Sequence, residues 1–284
     1  MIKIITRSDD AGSSKGANQA IFEAVNHPFV KNISLMAPGH YIEEAAQYLK
    51  DKKHICLGMH FTMNAEWDNV KWGPVSPAED VGAMLDASGN FLAEPKLSSA
   101  NGVTIEMIRK EWNAQLDRLT RLGLDIRYAD SHMFPEIAFE GLDDEMSRWI
   151  QEKGLVDHRY FYNILPQIDD ISQKAGLFEK VLSQTAPGQY FYLTHPAVPT
   201  QDMYLTGNSG NKTENIVSHR EKDYQFIISE AAVKLCEKYD IVLDSLEKKA
   251  VKLLHSKTGA AIARHVFGEP EQVCDAIYWH TTGK

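Results

Sequence analysis

Along the chain, short apolar runs of strand type alternate with longer stretches in which apolar residues recur every three or four positions. The runs are IKIIT, NISLMA, ICLGMHF, IRYADS, LVDHRYF, YFYLTH and YDIVLDS. Helical spacing covers residues 17–26, 42–51, 104–122, 140–153, 171–183 and 219–238. In the third of these, Ile105, Ile108, Trp112, Leu116 and Leu119 share one face, and Thr104 stands where an N-cap belongs. Strands that alternate with helices predict βα units and a parallel sheet, since parallel neighbours need a crossover between them. About seven units fit either an α/β barrel or a doubly wound open sheet. Both put ligands beyond the carboxyl ends of the strands, so polar residues at those ends carry the most weight.

Two connections break the rhythm. Residues 63–101, with Trp67 and Trp72, and residues 197–218, rich in Gly and Asn, are long enough to be read as lids or binding loops inserted into one domain. Exposed aromatics in the first would suit stacking on sugar rings. The 284 residues are 43% hydrophobic and 24% charged, enough apolar content for a sizeable core. A net charge of −9 without any long Lys/Arg run excludes the footprint of a nucleic-acid binder. With no leader pattern at Met1 and no run of ~18 apolar residues, the expectation is a cytoplasmic protein without a membrane partner. Cys56, Cys236 and Cys274 have neither metal spacing nor a disulfide pattern and read as small buried hydrophobes.

The strand ends hold the chemistry. Asp9 and Asp10 follow the first strand, His60 ends the third, Asp130 and His132 the fourth, and His195 the sixth. Adjacent like charges after an apolar strand mark a solvated turn or a site, and a cation would offset their repulsion. A His-His-Asp set with an open position is a catalytic metal arrangement. His27, His40, His54, His219, His255, His265 and His280 have no such placement and read as structural. Arg7, Arg159 and Arg220 are candidate anion clamps.

In their order and intervals, RSDDAG, LGMHF, ADSHMF and LTHPA resemble the YdjC-like carbohydrate deacetylases, a family that includes the chitooligosaccharide deacetylases. The resemblance covers roughly residues 1–245. It implies a single-domain, seven-stranded β/α (TIM-like) barrel over residues 1–284, with a C-terminal extension from about 246. It also implies one divalent cation, magnesium or zinc, and removal of an acetyl group from an N-acetylglucosamine unit of a short, sometimes phosphorylated, oligosaccharide. By the same resemblance Asp10, His60 and His132 match the metal ligands, Asp9 the base and His195 the histidine of a His-Pro motif. Asp130 then becomes a candidate to orient a ligand histidine, and Arg7 and Arg159 candidates to touch substrate. Arg7 and Ala11 depart from the family's usual Asn-Ala-Asp-Asp-Phe-Gly, and Met133 follows Asp130-Ser131-His132 where further histidines are usual. The expected partners are a small carbohydrate and a second copy of the chain as a homodimer. Two rival readings are a glycosidase acting on a phosphorylated disaccharide and a non-catalytic sugar-binding barrel.

Overall fold

A computed structural model describes residues 1–157, 159, 163–165 and 174–246. Among them, seven parallel strands form one sheet: β1 (Ile2–Ala11), β2 (Asn32–Leu35), β3 (Cys56–Phe61), β4 (Ile126–Ser131), β5 (Asn163–Ile164), β6 (Gly188–Thr194) and β7 (Ile241–Asp244). The ladder runs β4-β3-β2-β1-β6-β5, with β7 joining β1. β1 is the hub: Ile2–Ser8 pair with β6, Ile2–Ile5 with β7, and Arg7–Ala11 with β2. Asn32 seals the junction of β1, β2 and β7, its amide donating to the carbonyls of Thr6 and Asp244 and accepting from the Leu246 N–H. The expected α/β class with a parallel sheet is thus borne out. What the described residues form is a half-barrel whose ladder ends at β4 and β5, not a demonstrably closed barrel of seven strands.

The helices are α1 (Lys15–Ala24), α2 (Ile42–Leu49), α3 (Pro95–Ala100), α4 (Ile105–Arg121), α5 (Leu142–Glu152), α6 (Lys174–Gln184), α7 (Thr213–Ile227) and α8 (Glu230–Lys238). The single helix expected over 219–238 is two. Ser229 takes an extended conformation between them and its hydroxyl caps the Ala232 N–H, a local bond that serine offers more readily than a continuing helix does. α7 also starts inside the loop expected over 197–218. The run LVDHRYF yields one bridge, Val156 to Tyr128; His158, Tyr160 and Phe161 lie outside the described residues, as does the extension beyond Leu246 with Cys274. No helix among the described residues is long and apolar enough to cross a membrane.

Side chains alternate between the two faces of the curled sheet. On the inner face Ile5, Cys56, Tyr128, Val156, Phe191 and Leu246 form a buried apolar floor. Gly58 makes that floor possible, because a Cβ there would lie 2.2 Å from the Tyr128 ring. Two residues further along the same strands, Arg7 and Asp130 lie above the floor, and Asp9 and His60 come next. The outer face, with Ile4, Ile33, Leu35, Met59 and Ala129, packs into the main core with the helices. On α4 the expected apolar face is buried at Ile108, Trp112 and Leu119, but so are Glu111 and Gln115. Glu111 accepts the N–H groups of Val75 and Ser76, and Gln115 bonds both polar groups of the Thr62 backbone. The helix therefore fastens the 63–101 loop to the end of β3.

Candidate active site

Strict alternation along β1 would send Asp9 and Asp10 to opposite faces. The pairing of β1 with β2 shifts register between Ser8 and Ala11, and Asp10 turns to φ 66°, which breaks the alternation. A left-handed residue other than glycine costs about 1–3 kcal/mol, and Asp is among the few that tolerate it. Both carboxylates consequently face the mouth of the sheet, 1% and 2% exposed. Register supplies the rest: His60 lies directly opposite Asp130, and the His132 N–H continues the ladder to the Phe61 carbonyl.

Three atoms form a near-equilateral triangle. Asp10 Oδ1 is 3.5 Å from His60 Nε2 and 3.6 Å from His132 Nδ1, and the two nitrogens are 3.4 Å apart. Ligand atoms ~2.0–2.2 Å from a tetrahedral ion are separated by about 3.3–3.6 Å, so the triangle is one face of such a site with the remaining position open. Asp10 Oδ1 is buried and accepts no hydrogen bond, a costly state unless a cation takes it. The far sides of all three residues are engaged: Arg220 donates to Asp10 Oδ2 at 2.7 Å, Asp130 holds His60 Nδ1, and Glu66 Oε2 lies 3.1 Å from His132 Nε2. This buried cluster can hold a metal ion. A second grouping, Asp9 with His60 and Asp130, fits less well because a cation there would sit beside the Arg7 guanidinium that both carboxylates already hold. Arg7 takes both Asp9 oxygens in a fork at 2.6 Å each, and Asp130 serves His60, Ser34 and Arg7.

Charge points the same way. Four buried carboxylates, Asp9, Asp10, Glu66 and Asp130, face two guanidiniums, Arg7 and Arg220, which leaves two negative charges for a cation to match. Without one, protons are drawn in: burial disfavours a charged His132 ring, but Glu66 and Asp10 outweigh it and push the imidazole up to about 10. Burial likewise opposes ionisation of Asp10, yet Arg220 and His132 hold its carboxyl well below the usual range. His132 thus carries a proton below about pH 10, and a cation that bound at Nδ1 would have to displace it, with an affinity that rises with pH. Zinc uptake near pH 7.5 is expected to release about one proton per ion from this ring. Calorimetric titration in buffers of different ionisation enthalpy would show it; a heat independent of buffer would refute it.

His195 follows β6 at the level of Asp9, and its backbone N–H donates to Asp223, which Lys174 holds. Desolvation pushes its imidazole down to about 3, with Asp10 opposing and Arg220, His60 and His132 reinforcing, so the ring rests neutral. Arg159, expected near substrate, instead spends its guanidinium on Asp157, Asp143 and Ser147. None of these bonds leads to the cluster. Arg220, expected as an anion clamp, pairs with Asp10. A cavity of about 320 Å³ opens beside Asp10 and Arg220, walled by Trp67, Lys71 and Asp202. Both tryptophans reach the cavity wall, but Trp72 is only 3% exposed, its indole N–H donating to the Asn64 carbonyl, whereas Trp67 is half-buried there. His40, read as structural, also reaches this wall. Glu66 was legible only as one acid in a long loop.

Residues 3–156 match the profile of the family described as YdjC-like protein, more than half of the chain. The chain belongs to this family. The YdjC-like match holds Arg7 through His132 of the cluster and stops short of His195 and Arg220. A carbohydrate deacetylase of Geobacillus stearothermophilus is 33% identical over 129 residues, 45% of this chain and 48% of that protein. A chitooligosaccharide deacetylase of Proteus mirabilis (strain HI4320) is 28% identical over 153 residues, 54% of this chain and 56% of that one. The chain therefore spans about half the length of the curated relatives it matches. A solved structure from Enterococcus faecalis V583, named as a proposed cellobiose-phosphate cleavage protein, superposes with a TM-score of 0.65 at 18% identity, covering 86% of this chain and 97% of that one. It supports the half-barrel fold.

Proposed function

We propose that this protein is a metal-dependent hydrolase that removes an acetyl group from an N-acetylated sugar. The observation that carries the reading is the orphaned Asp10 Oδ1 facing two imidazole nitrogens in a metal-sized triangle at the mouth of the sheet. The deacetylase names of the relatives support it. A divalent cation, zinc or magnesium, held by Asp10, His60 and His132 would polarise the amide carbonyl and lower the pKa of a nearby water. Asp9 is read as the base that takes the water's proton; the Arg7 fork leaves each of its oxygens a second lone pair for that purpose. His195 rests neutral, so the proton that Asp9 removes is the one that balances departure of the amine, passed on through the His195 ring. Asp130 keeps the proton on His60 Nδ1 and so leaves Nε2 free toward Asp10. Trp67 offers one half-buried aromatic face to a sugar ring. The same reading makes the half-barrel part of a closed, seven-stranded, single-domain barrel.

Glycosidic cleavage would need two carboxyl groups free to flank a sugar bond. Here Asp10 and Asp130 are engaged by a guanidinium and an imidazole, which leaves Asp9 alone of the three for proton transfer and favours the deacetylase. The test is acetate release from N,N′-diacetylchitobiose and its 6-phosphate by protein stripped with a chelator and resupplied with zinc or magnesium. Activity lost on chelation and restored by one cation is the expected result. Turnover indifferent to chelation would sink the reading, and bound metal without acetate from either sugar would favour a non-catalytic barrel.

A further inference from the structure

Glu66 has no part in the reading above, yet it is 7% exposed and its carboxylate is aimed at a candidate ligand. Its Oε2 sits 3.1 Å from His132 Nε2, on the side of the ring away from Asp10 and His60. The Asn64 side-chain amide donates to the same oxygen at 3.3 Å. An acceptor there fixes a proton on Nε2, so Nδ1, with its lone pair, faces the other two ligand atoms. Asp130 does the corresponding work for His60 from within the sheet. Glu66 differs in belonging to a loop rather than to a strand.

That loop segment is itself stitched down. The Asn208 side chain donates to the Glu66 carbonyl at 3.0 Å, and the Asp68 N–H donates to the Gly207 carbonyl at 2.9 Å, so the β3–α3 loop and the β6–α7 loop hold each other. The Lys71 ammonium donates to the Ala65 carbonyl, and the Trp72 indole to the Asn64 carbonyl with its ring T-shaped to that of His132. Next to Glu66, Trp67, Asn69, Val70 and Lys71 line the cavity. One short segment therefore touches the ligand histidine with one residue and the cavity with the next.

We propose that Glu66 is a positioning residue for His132, and that through it the two long loops couple occupancy of the cavity to retention of the cation. The proposal rests on the ligand set assigned above and not on the identity of the substrate. Coupling of this kind is reciprocal: a ligand that settles the 66–71 segment tightens metal binding by the factor by which metal tightens the ligand.

The experiment measures zinc affinity by competition with a chromophoric chelator, and the visible spectrum of the cobalt(II)-loaded protein, for wild type, Glu66→Gln, Glu66→Ala and Asn208→Ala. Loss of an outer partner of a metal-binding histidine typically weakens metal binding ~10–100-fold. Glu66→Ala is expected in that range. Glu66→Gln, which keeps an acceptor but not the charge, should fall between it and wild type, and Asn208→Ala should weaken binding less. The cobalt bands should shift in both Glu66 variants while their melting temperatures stay close to wild type. Unchanged affinity and spectrum in Glu66→Ala would overturn the positioning role; unchanged affinity in Asn208→Ala, with Glu66→Ala weakened, would overturn the loop coupling. Weakened zinc binding in Glu66→Ala of a protein that releases no acetate would support the role while refuting deacetylation. Wild type that takes up no zinc would refute both.

Discussion

Asp9→Asn is expected to lower turnover by ~10²–10⁴-fold while leaving the bound cation in place. The amide keeps the shape of the carboxylate but cannot take a proton from water, and the three proposed ligand atoms belong to other residues. Burial raises the Asp9 carboxyl above its ordinary value against the pull of Arg7, which moves it toward the basicity that the role demands. Initial rates of acetate release, with zinc content from atomic absorption on the same samples, separate the two effects. Activity within a factor of about ten of wild type would remove Asp9 from the base role. Coincident loss of zinc would place it among the ligands instead.

Arg7→Met is expected to destabilise the protein by about 3–5 kcal/mol, the usual cost of leaving a buried charge without its partner. The guanidinium is 3% exposed, forks onto Asp9, reaches Asp130 at 3.2 Å, and lies over the Phe191 ring at 4.6 Å. Removing it leaves two buried carboxylates facing each other across the space it filled. Lysine would not restore the arrangement, since a single ammonium cannot supply the two parallel bonds of the fork. Urea denaturation at neutral pH reads the difference directly. A loss below about 1 kcal/mol would mean that water enters and solvates the pair, and the account of the inner face would have to change.

The parallel α/β order and the residues at the strand ends were legible because both follow from short-range pattern: apolar runs of strand length, helical spacing, and polar residues just past the apolar ones. Asp9, Asp10, His60, Asp130 and His132 could be singled out in this way. Other features depend on contacts that no spacing encodes. Glu66, which looks like an ordinary surface charge in the sequence, reaches His132 across 66 positions, and Arg220, expected as an anion clamp, reaches Asp10 across 210. Arg159 shows the converse, since a basic residue near a strand end was free to turn away and meet Asp143 and Asp157. The break between α7 and α8 was missed because apolar positions continue in phase through Ser229, and a serine hydroxyl that caps one helix leaves little trace in hydropathy. Trp72 read as a stacking surface because aromatic residues in long loops often are exposed; its indole N–H found a carbonyl and the ring was buried.

The two unmatched negative charges gathered by β1, β4 and the loop after β3 have a consequence for how the molecule is made. Asp9 and Asp10 are neighbours in the chain, but Glu66 and Asp130 join them from distant parts of it, so most of the repulsion arises only on folding. Folding and loading therefore form one equilibrium: a cation that binds the native state adds RT ln(1 + [M]/Kd), about 2.7 kcal/mol at a hundred times its Kd. A thermal melt repeated across a series of divalent ions then ranks them by affinity without any substrate.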